Sequence, residues 1–321
     1  MNDGMAHAVI QRTELLGATL DLGGHLIDLA DYATTGLRVA AIGPSGSGKT
    51  NAGLLVAEQL VEQGWVAVLV DPEGELESLY GSPVSCPQRL QELLEARTTP
   101  VVVVSAPDAE SFVPYGQVIL DVADRLRKPL LLVVDEGQMF SSGRKRSASL
   151  GESTDLLNAF AERGRKRALD LFLTAPRYSA SLNRSVFGAT NLTLIGRQED
   201  PTVWSALAPQ FRGSSIGFSD LRSLAPGEFY CFSRRGIDRV AMRMARALAG
   251  VALAATPTQS LLPSTFSQWD AAVSALSTDR LEALSAPVVE LLSRAAGLTR
   301  QQVMTGSRAL EDELALRRGG A

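Results

Sequence analysis

The chain has 321 residues, of which 45% are hydrophobic, and a net charge of −4; this is enough apolar material for one large α/β core with a small appendage. No apolar run approaches the roughly 18 residues of a membrane-spanning helix, and the first residues lack the basic, apolar and small-residue order of a signal peptide. These features argue against a membrane span and lead us to expect a globular, cytoplasmic protein.

The predicted elements begin with a short extension, residues 1–36, whose Gly-rich alternating pieces predict strands lying against the core. From 37 to 250, short β-branched runs alternate with helix-length segments. This alternation predicts a mostly parallel sheet with helices on both faces. The runs are LRVAAIG (37–43), VAVLVD (66–71), VVVVS (101–105), LLLVVDE (130–136), LDLFLT (169–174) and NLTLIG (191–196).

Two segments between these runs have the apolar spacing of helices. Residues 50–64 and 153–164 both end at a glycine, and the second begins with Ser-Thr, which is typical of a helix start. Residues 228–244 predict a hairpin that closes the sheet, with Gly236 in its turn.

Beyond about Gly250 the sequence changes to Ala/Leu/Ser-rich segments punctuated by proline, which predicts a separate helical region over 251–321. Residues 285–320 resemble a helix-turn-helix unit. Its last helix carries Glu311, Asp312 and Glu313. Because carboxylates repel phosphate, we favour a protein partner or a pore-guiding role over base reading for these helices.

The cysteines and histidines give little support for metal or disulfide chemistry. Cys86 and Cys231 have no CxxC spacing, and only His7 and His25 could add imidazole ligands. We therefore expect neither a disulfide framework nor a zinc site. Both cysteines are interpreted as small apolar fillers.

The most specific motif is GPSGSGKT at 43–50, between a predicted strand and a predicted helix. It matches G-x-x-x-x-G-K-[ST] in the context that gives this pattern its meaning. Glycines leave backbone N–H groups free to surround a phosphate, and the helix N-terminus adds partial positive charge. We expect Lys49 to reach the β- and γ-phosphates and the Thr50 hydroxyl to bind Mg²⁺. The predicted nucleotide-binding residues are Gly43, Pro44, Ser45, Gly46, Ser47, Gly48, Lys49, Thr50 and Asn51.

A second motif, LLLVVDEGQMF at 130–140, is an apolar strand that ends in two carboxylates. Asp135 is expected to hold Mg²⁺ through its water shell, and Glu136 to act as the base for an attacking water. This pair predicts hydrolysis rather than binding alone. The alternative is that both carboxylates only cap the turn after a core strand. Because the sequence has no Asn-Lys dipeptide, the guanine-reading NKxD motif is absent and ATP is the expected nucleotide.

Basic residues concentrate between residues 140 and 197, where ten Arg/Lys stand against four Asp/Glu. Within this region Arg163, Arg165, Lys166 and Arg167 lie just before an apolar run. Electropositive surface of this kind is typical of a channel or a subunit interface. A solvated surface face is the alternative.

These motifs together resemble the HerA/FtsK group of P-loop DNA-pumping ATPases, and in particular its HerA branch. The carboxylate segment, for example, is similar to the family's I-D-E-A-H-x-F. The similarity covers about Leu37 to Gly236. Its segments are GPSGSGKT (43–50), VDPEGELESLY (70–80), VVDEGQMF (133–140), ERGRKRALDLFLTAPR (162–177), NLTLIGRQEDPT (191–202) and the hairpin that starts PGEF (226–229).

The resemblance implies a RecA-like P-loop fold of the additional-strand (ASCE) type, an ATPase that uses Mg²⁺, and a homo-oligomeric, hexameric ring that moves along duplex DNA. It also implies that an arginine reaches the neighbouring subunit's nucleotide. Arg165 occupies the matching position, and Arg163 and Arg167 remain alternatives. Where the family has Thr-Gln-Arg-Pro, this chain has TAPR, so Ala175 replaces the γ-phosphate-sensing Gln and Thr174 or Arg177 is left to take its part.

Three classes of function are compatible with these motifs. The first is a DNA motor, either a HerA-like helicase or translocase or a genome-packaging ATPase of a virus or mobile element. The second is a nucleotide-dependent switch or signalling ATPase that does not translocate DNA. The third is a scaffold that binds ATP only to hold an oligomer together.

Overall fold

A mostly parallel β-sheet forms the centre of the computed structural model, which describes residues 19–141, 147–178 and 184–250. The helical region predicted over 251–321, with its helix-turn-helix-like unit, lies outside the described residues.

The strands form one small and one large sheet. The strands are β1 (Thr19–Asp21), β2 (Leu26–Asp28), β3 (Arg38–Ile42), β4 (Val66–Asp71), β5 (Val101–Ser105), β6 (Leu130–Val134), β7 (Leu169–Ala175), β8 (Leu192–Ile195), β9 (Glu228–Ser233) and β10 (Gly236–Ala241). Among the described residues, β1 and β2 form a two-stranded sheet, and the other strands form an eight-stranded sheet in the order β10-β9-β8-β3-β7-β6-β4-β5. Strands β3 to β8 are parallel to their neighbours within that group, whereas β9 and β10 are antiparallel.

The six parallel strands coincide with the six β-branched runs of the sequence, so the predicted α/β fold is confirmed. Strands covered on both faces are rich in Val, Ile and Leu along their whole length rather than alternating with polar residues. In β4, for example, all six residues are buried. The prediction succeeded because this pattern is carried by the sequence itself.

One strand, β7, separates β3 from β6. The sheet therefore has an additional strand between the strand that enters the phosphate loop and the strand that ends in the carboxylates, as the ASCE type requires. The register pairs Ile42 with Ala175 on one side of β7, and Val134 with Leu173 on the other. Parallel pairing brings the carboxyl ends of these three strands to one edge of the sheet.

Helices cover both faces of the sheet. They are α1 (Lys49–Glu62), α2 (Glu77–Tyr80), α3 (Pro87–Ala96), α4 (Ala109–Leu126), α5 (Ala148–Arg163), α6 (Arg184–Gly188), α7 (Pro201–Leu207) and α8 (Phe218–Arg222). Helix α1 packs on the face that includes Val39 and Ala41, together with the small sheet. Helices α3, α4 and α5 pack on the opposite face, with Ala40 and Ile42.

Two local predictions were wrong. Helix α5 begins at Ala148, capped by Ser147, and not at Ser153, whose buried hydroxyl donates to the Phe140 carbonyl at 2.7 Å. In the hairpin, Arg234 and Arg235 form the turn, and Gly236 is the first residue of β10. The first error arose because two serines could each begin the helix; the second arose because the strand pairing extends to Gly236, opposite Ser233.

The two cysteines have different environments. Cys231 is buried in β9, and burial raises the pKa of its thiol to about 12, so it is an inert apolar filler as expected. Cys86 is only partly buried and precedes α3, so its interpretation as a filler was wrong.

The small sheet packs against the ATPase-like core through Leu20, Leu22 and Ile27, which belong to the same apolar cluster as α1. Polar contacts fix its position, because the Gln59 amide of α1 accepts from the Asp21 backbone N–H at 2.7 Å and donates to its carbonyl at 3.1 Å. Residues 19–28 are therefore an integral layer on the α1 face.

A buried carboxylate on α1 holds the segment that follows β10. Glu58 accepts from the backbone N–H groups of Arg246 and Ala247 at 2.7 and 3.0 Å and from the Tyr80 hydroxyl at 2.9 Å. Burial, and then the nearby Glu58 carboxylate, raise the pKa of Tyr80, so this hydroxyl stays protonated and donates. One side chain thus joins α1, the end of α2 and the segment that leaves β10.

We expect Glu58→Ala to lower the free energy of unfolding by about 3 kcal/mol, because it leaves three partly buried donors without their charged acceptor. Chemical denaturation of the full chain measures this loss. Glu92→Ala is the matched control, since Glu92 pairs with Arg89 on an exposed helix surface, where such pairs contribute about 0.5 kcal/mol or less. Equal losses in both variants would contradict the structural role of Glu58.

Candidate functional site

The phosphate-loop motif lies between β3 and α1, and its glycines adopt the backbone that the motif predicts. Gly46 and Gly48 have φ of 75° and 94°, in the left-handed region that favours glycine. Gly48 caps the N-terminus of α1. The backbone N–H groups of the loop therefore lead directly into the positive end of the longest helix on this face of the sheet.

Gly48 also has no room for a side chain. A Cβ at this position would lie 3.0 Å from both Cα and N of Gly227, in the Pro-Gly turn before β9. The Gly227 N–H donates to the Ser47 carbonyl at 2.9 Å, and the Met242 N–H donates to the Gly227 carbonyl at 2.8 Å. The turn before β9 thus packs against the phosphate loop at Gly48 and hydrogen-bonds to it at Ser47. The Pro-Gly dipeptide is visible in the sequence PGEF, but no local pattern indicates that it contacts the phosphate loop.

Two polar groups of the loop are arranged as a phosphate ligand would require. The Lys49 ammonium is buried at the start of α1 and donates to the Pro44 carbonyl at 3.1 Å. The hydroxyl of Ser47 is buried and has no hydrogen-bond partner among the described residues. A phosphate group would give both donors a charged acceptor.

The residues expected to bind Mg²⁺ are in contact. The Thr50 hydroxyl, at the start of α1, donates to Oδ2 of Asp135 at the end of β6 at 2.9 Å. A hydroxyl and a carboxylate beside a phosphate loop fit Mg²⁺, which binds oxygen ligands and commonly takes one or two from protein and others from phosphates. Within the described residues no cluster of three or more His, Cys, Asp or Glu forms a separate metal site.

Thr174, on the intervening strand β7, connects the two carboxylate residues. Its buried hydroxyl donates to Oδ1 of Asp135 and accepts from the Glu136 backbone N–H at 2.9 Å. Glu136 itself has φ of 46° and ψ of 49°, a left-handed conformation that is uncommon for a residue with a side chain. Thr174 therefore fixes the backbone at the position predicted for the base. Ala175 is buried, and its carbonyl accepts from the Gly43 N–H at 3.1 Å.

The carboxylate of Glu136 has a partner that the sequence analysis missed. The side-chain amide of Gln138, two residues on, donates to Oε2 of Glu136. The proximity of the two residues in VVDEGQMF was the only available signal. It was weak, because side chains two residues apart meet only when the chain turns sharply, as it does here in the 3-10 turn Gly137–Met139.

The side chain of Asn51, one of the predicted nucleotide-binding residues, binds the segment that follows β10. Its side-chain amide donates to the Arg243 carbonyl at 3.0 Å and accepts from the Ala245 N–H at 2.8 Å. The side chain is thus committed to the segment after β10. Asn51 belongs with Glu58 as a structural link between α1 and that segment.

Two of the candidate trans-acting arginines are described by their backbone alone. Arg163 ends α5, and Arg165 lies in the 3-10 turn Gly164–Arg167 that follows. Their side chains lie outside the described residues. Arg167 forms an ion pair with Asp124 of α4, including a hydrogen bond of 2.7 Å from its terminal nitrogen, and is mostly buried. This contact gives Arg167 a role within its own subunit.

No protein-family model and no curated protein matches this sequence. Among solved structures, the genome packaging NTPase B204 from Sulfolobus turreted icosahedral virus 2, in complex with AMPPCP, is similar with a TM-score of 0.50 and 16% identity, over 66% of this chain and 100% of that chain. The conjugation coupling protein TcpA of pCW3, a monomer form with ATPγS, gives a TM-score of 0.50 and 15% identity, over 71% of this chain and 66% of that one. At these identities the two likenesses concern the fold alone, and they agree with the mostly parallel α/β fold predicted from the sequence. In the described part of the chain, no helix combines the length and the apolar character needed to cross a bilayer.

We expect Gly48→Ala to abolish the binding of an ATP analogue. An alanine is strained at the φ of 94° that this position has, and its Cβ would press against the Gly227 backbone. Equilibrium titration with a fluorescent ATP analogue measures the loss. Gly213→Ala is the matched control, since Gly213 has a similar φ of 87° with no atom within 4 Å of the added Cβ. That variant should lose about 1 kcal/mol of stability and retain its affinity. Unchanged affinity in Gly48→Ala would contradict the assignment of the loop.

Proposed function

We propose that this chain is an ATP-hydrolysing motor that acts on duplex DNA as a homo-oligomeric, hexameric ring. The observation that carries the hydrolytic part is the continuous network of Thr50, Asp135, Thr174 and Glu136 at the edge of the sheet beside the phosphate loop. A loop that only bound nucleotide would not need an ordered carboxylate beside the metal position.

The chemistry assigns one role to each group. A water oxygen forms a bond to the γ-phosphorus, and the bond from that phosphorus to the β,γ-bridging oxygen breaks, with its electron pair remaining on ADP. The Glu136 carboxylate accepts the proton that the water loses. Lys49 and the loop N–H groups hold the phosphates. Mg²⁺ held by Thr50 and Asp135 would neutralise charge on the β- and γ-phosphates.

An arginine from a neighbouring subunit would complete the site. Arg165 remains our first assignment and Arg163 the second, because Arg167 is paired with Asp124 in its own subunit. A planar guanidinium can neutralise charge on the transferring phosphoryl group from across an interface. Thr174 takes over only part of the role of the missing sensor Gln: its hydroxyl holds the Asp135 carboxylate and the Glu136 backbone in place.

The action on DNA rests on the resemblance and on the neighbours in fold. One neighbour is a genome packaging NTPase and another is a conjugation coupling protein. The packaging similarity favours a genome-packaging ATPase as the second candidate within the same class. The concentration of basic residues between 140 and 197 supports a surface that contacts phosphates.

The test measures ATP hydrolysis and native mass of the full chain with and without duplex DNA. We expect turnover to rise with duplex DNA and with assembly. This rise should fall steeply as salt increases, because phosphate contacts release counterions. An ATP turnover rate that duplex DNA does not change at any ionic strength would contradict the DNA motor and favour the nucleotide-dependent switch.

Glu136→Gln provides the control for the chemistry, because the amide preserves the shape of the side chain and removes the base. This variant should bind ATP with unchanged affinity and lose at least about 10²-fold in kcat. If it hydrolysed ATP at the wild-type rate, Glu136 would not be the base. A wild-type chain that binds ATP without any turnover would favour the scaffold.

A further inference from the structure

The side-chain amide of Gln138 has a hydrogen-bond partner at its nitrogen but none at its oxygen among the described residues. Its Nε2 donates to Oε2 of Glu136, while its Oε1 is buried and has no hydrogen-bond partner among the described residues. The carboxylate determines which way the amide is turned, because a flipped amide would place its oxygen against the Glu136 oxygen. A buried acceptor without a partner costs about 1–3 kcal/mol, so its retention calls for a physical reason.

The surroundings of Gln138 leave it little freedom. It lies in the 3-10 turn Gly137–Met139, in which Met139 N–H donates to the Glu136 carbonyl at 2.9 Å. Glu136 is held at its backbone by Thr174 and at its carboxylate by Gln138. The amide oxygen and nitrogen of Gln138 share one carbon, so the unsatisfied Oε1 is next to the carboxylate that Nε2 binds.

A water molecule that is to attack phosphorus has two hydrogens to place. One goes to the base, and the second is best held by a neutral acceptor, because a second carboxylate would compete for the first proton. A fixed acceptor beside the base therefore orients the oxygen lone pair of the water towards the phosphorus.

We infer that Gln138 is a further catalytic residue, whose Nε2 holds the Glu136 carboxylate and whose Oε1 accepts a hydrogen bond from the water that Glu136 deprotonates. The inference rests on the proposed ATP hydrolysis. It adds a residue to which neither the sequence motifs nor the comparisons give a role.

The primary test compares kcat and the affinity for a fluorescent ATP analogue in Gln138→Leu and in the wild-type chain. We expect kcat to fall by about 10²-fold, because the base and the water both lose their orientation, while nucleotide affinity and Tm stay unchanged. Gln138→His should recover at least a tenth of the wild-type kcat, since a neutral imidazole also offers one N–H donor and one acceptor.

Gln117→Leu is the matched control. Gln117 donates to Glu152 at 2.9 Å in an exposed pair that links α4 to α5, on the sheet face opposite the one that α1 covers. Removing this amide deletes the same kind of hydrogen bond without touching the site. We expect wild-type kcat in this variant, so a loss common to both leucine variants would overturn the inference.

A double-mutant cycle separates a shared catalytic role from independent effects. In the Glu136→Gln background, Gln138→Leu should lower the residual single-turnover rate by a smaller factor than in the wild-type background, because the base that it holds is already absent. A further loss equal to that in the wild-type background would overturn the inference.

A folding failure of the leucine variant and the activity of the wild-type chain are also informative. If Gln138→Leu fails to fold, Gln138→Glu replaces it, since that side chain has the same shape but no donor, and kcat should again fall. An active wild-type chain with an equally active Gln138 variant would overturn this inference alone. A wild-type chain without ATP turnover would instead overturn the proposed function on which it rests.

Discussion

The hydrogen bond from Thr50 to Asp135 joins the phosphate-loop helix to the carboxylate strand, and the rest of the site is built around it. Thr50 lies at the start of α1 and Asp135 follows β6, so the contact requires that α1 begins at the edge of the sheet where β6 ends. The order β3-β7-β6 satisfies this requirement and places β7 between them. Thr174 of β7 can then reach Asp135 with its hydroxyl and Glu136 through the backbone N–H. The residues proposed to hold the metal, the base and the phosphates are thus brought together by one strand order.

The same helix connects the phosphate loop to the segment that follows β10. Asn51 and Glu58 bind backbone groups of residues 243–247, and Gly227 binds the phosphate loop itself. A shift of α1 on nucleotide binding would therefore act on the hairpin and on the segment that follows β10 through several hydrogen bonds at once. In a motor, such links are the physical route by which phosphate chemistry is converted into movement of other segments.

Much of this arrangement could be predicted from the sequence, because its main features depend on local patterns. The parallel strands appeared as uninterrupted β-branched runs, and the phosphate loop and Asp135-Glu136 appeared as motifs in a strand-loop context. The contacts that could not be predicted depend on long-range information. Asn51 adjoins the motif, but its partners lie more than 190 positions away in the chain. Ser147 and Ser153 are both plausible caps, but Ser147 accepts from the Leu150 N–H while Ser153 donates to the distant Phe140 carbonyl. Gln138 carries no pattern of its own, since its meaning depends on a sharp turn that aims its amide at Glu136.

The central claim is that Thr50, Asp135 and Glu136 surround the γ-phosphate of ATP and an attacking water. A crystal structure of the full chain with Mg²⁺ and a non-hydrolysable ATP analogue tests this most directly. The account predicts the triphosphate in the loop at 43–50, the metal bonded to Thr50 and associated with Asp135, and a water within hydrogen-bond distance of Glu136 and in line with the γ-phosphorus. A nucleotide bound elsewhere, or a Glu136 carboxylate directed away from the γ-phosphate in that complex, would contradict it.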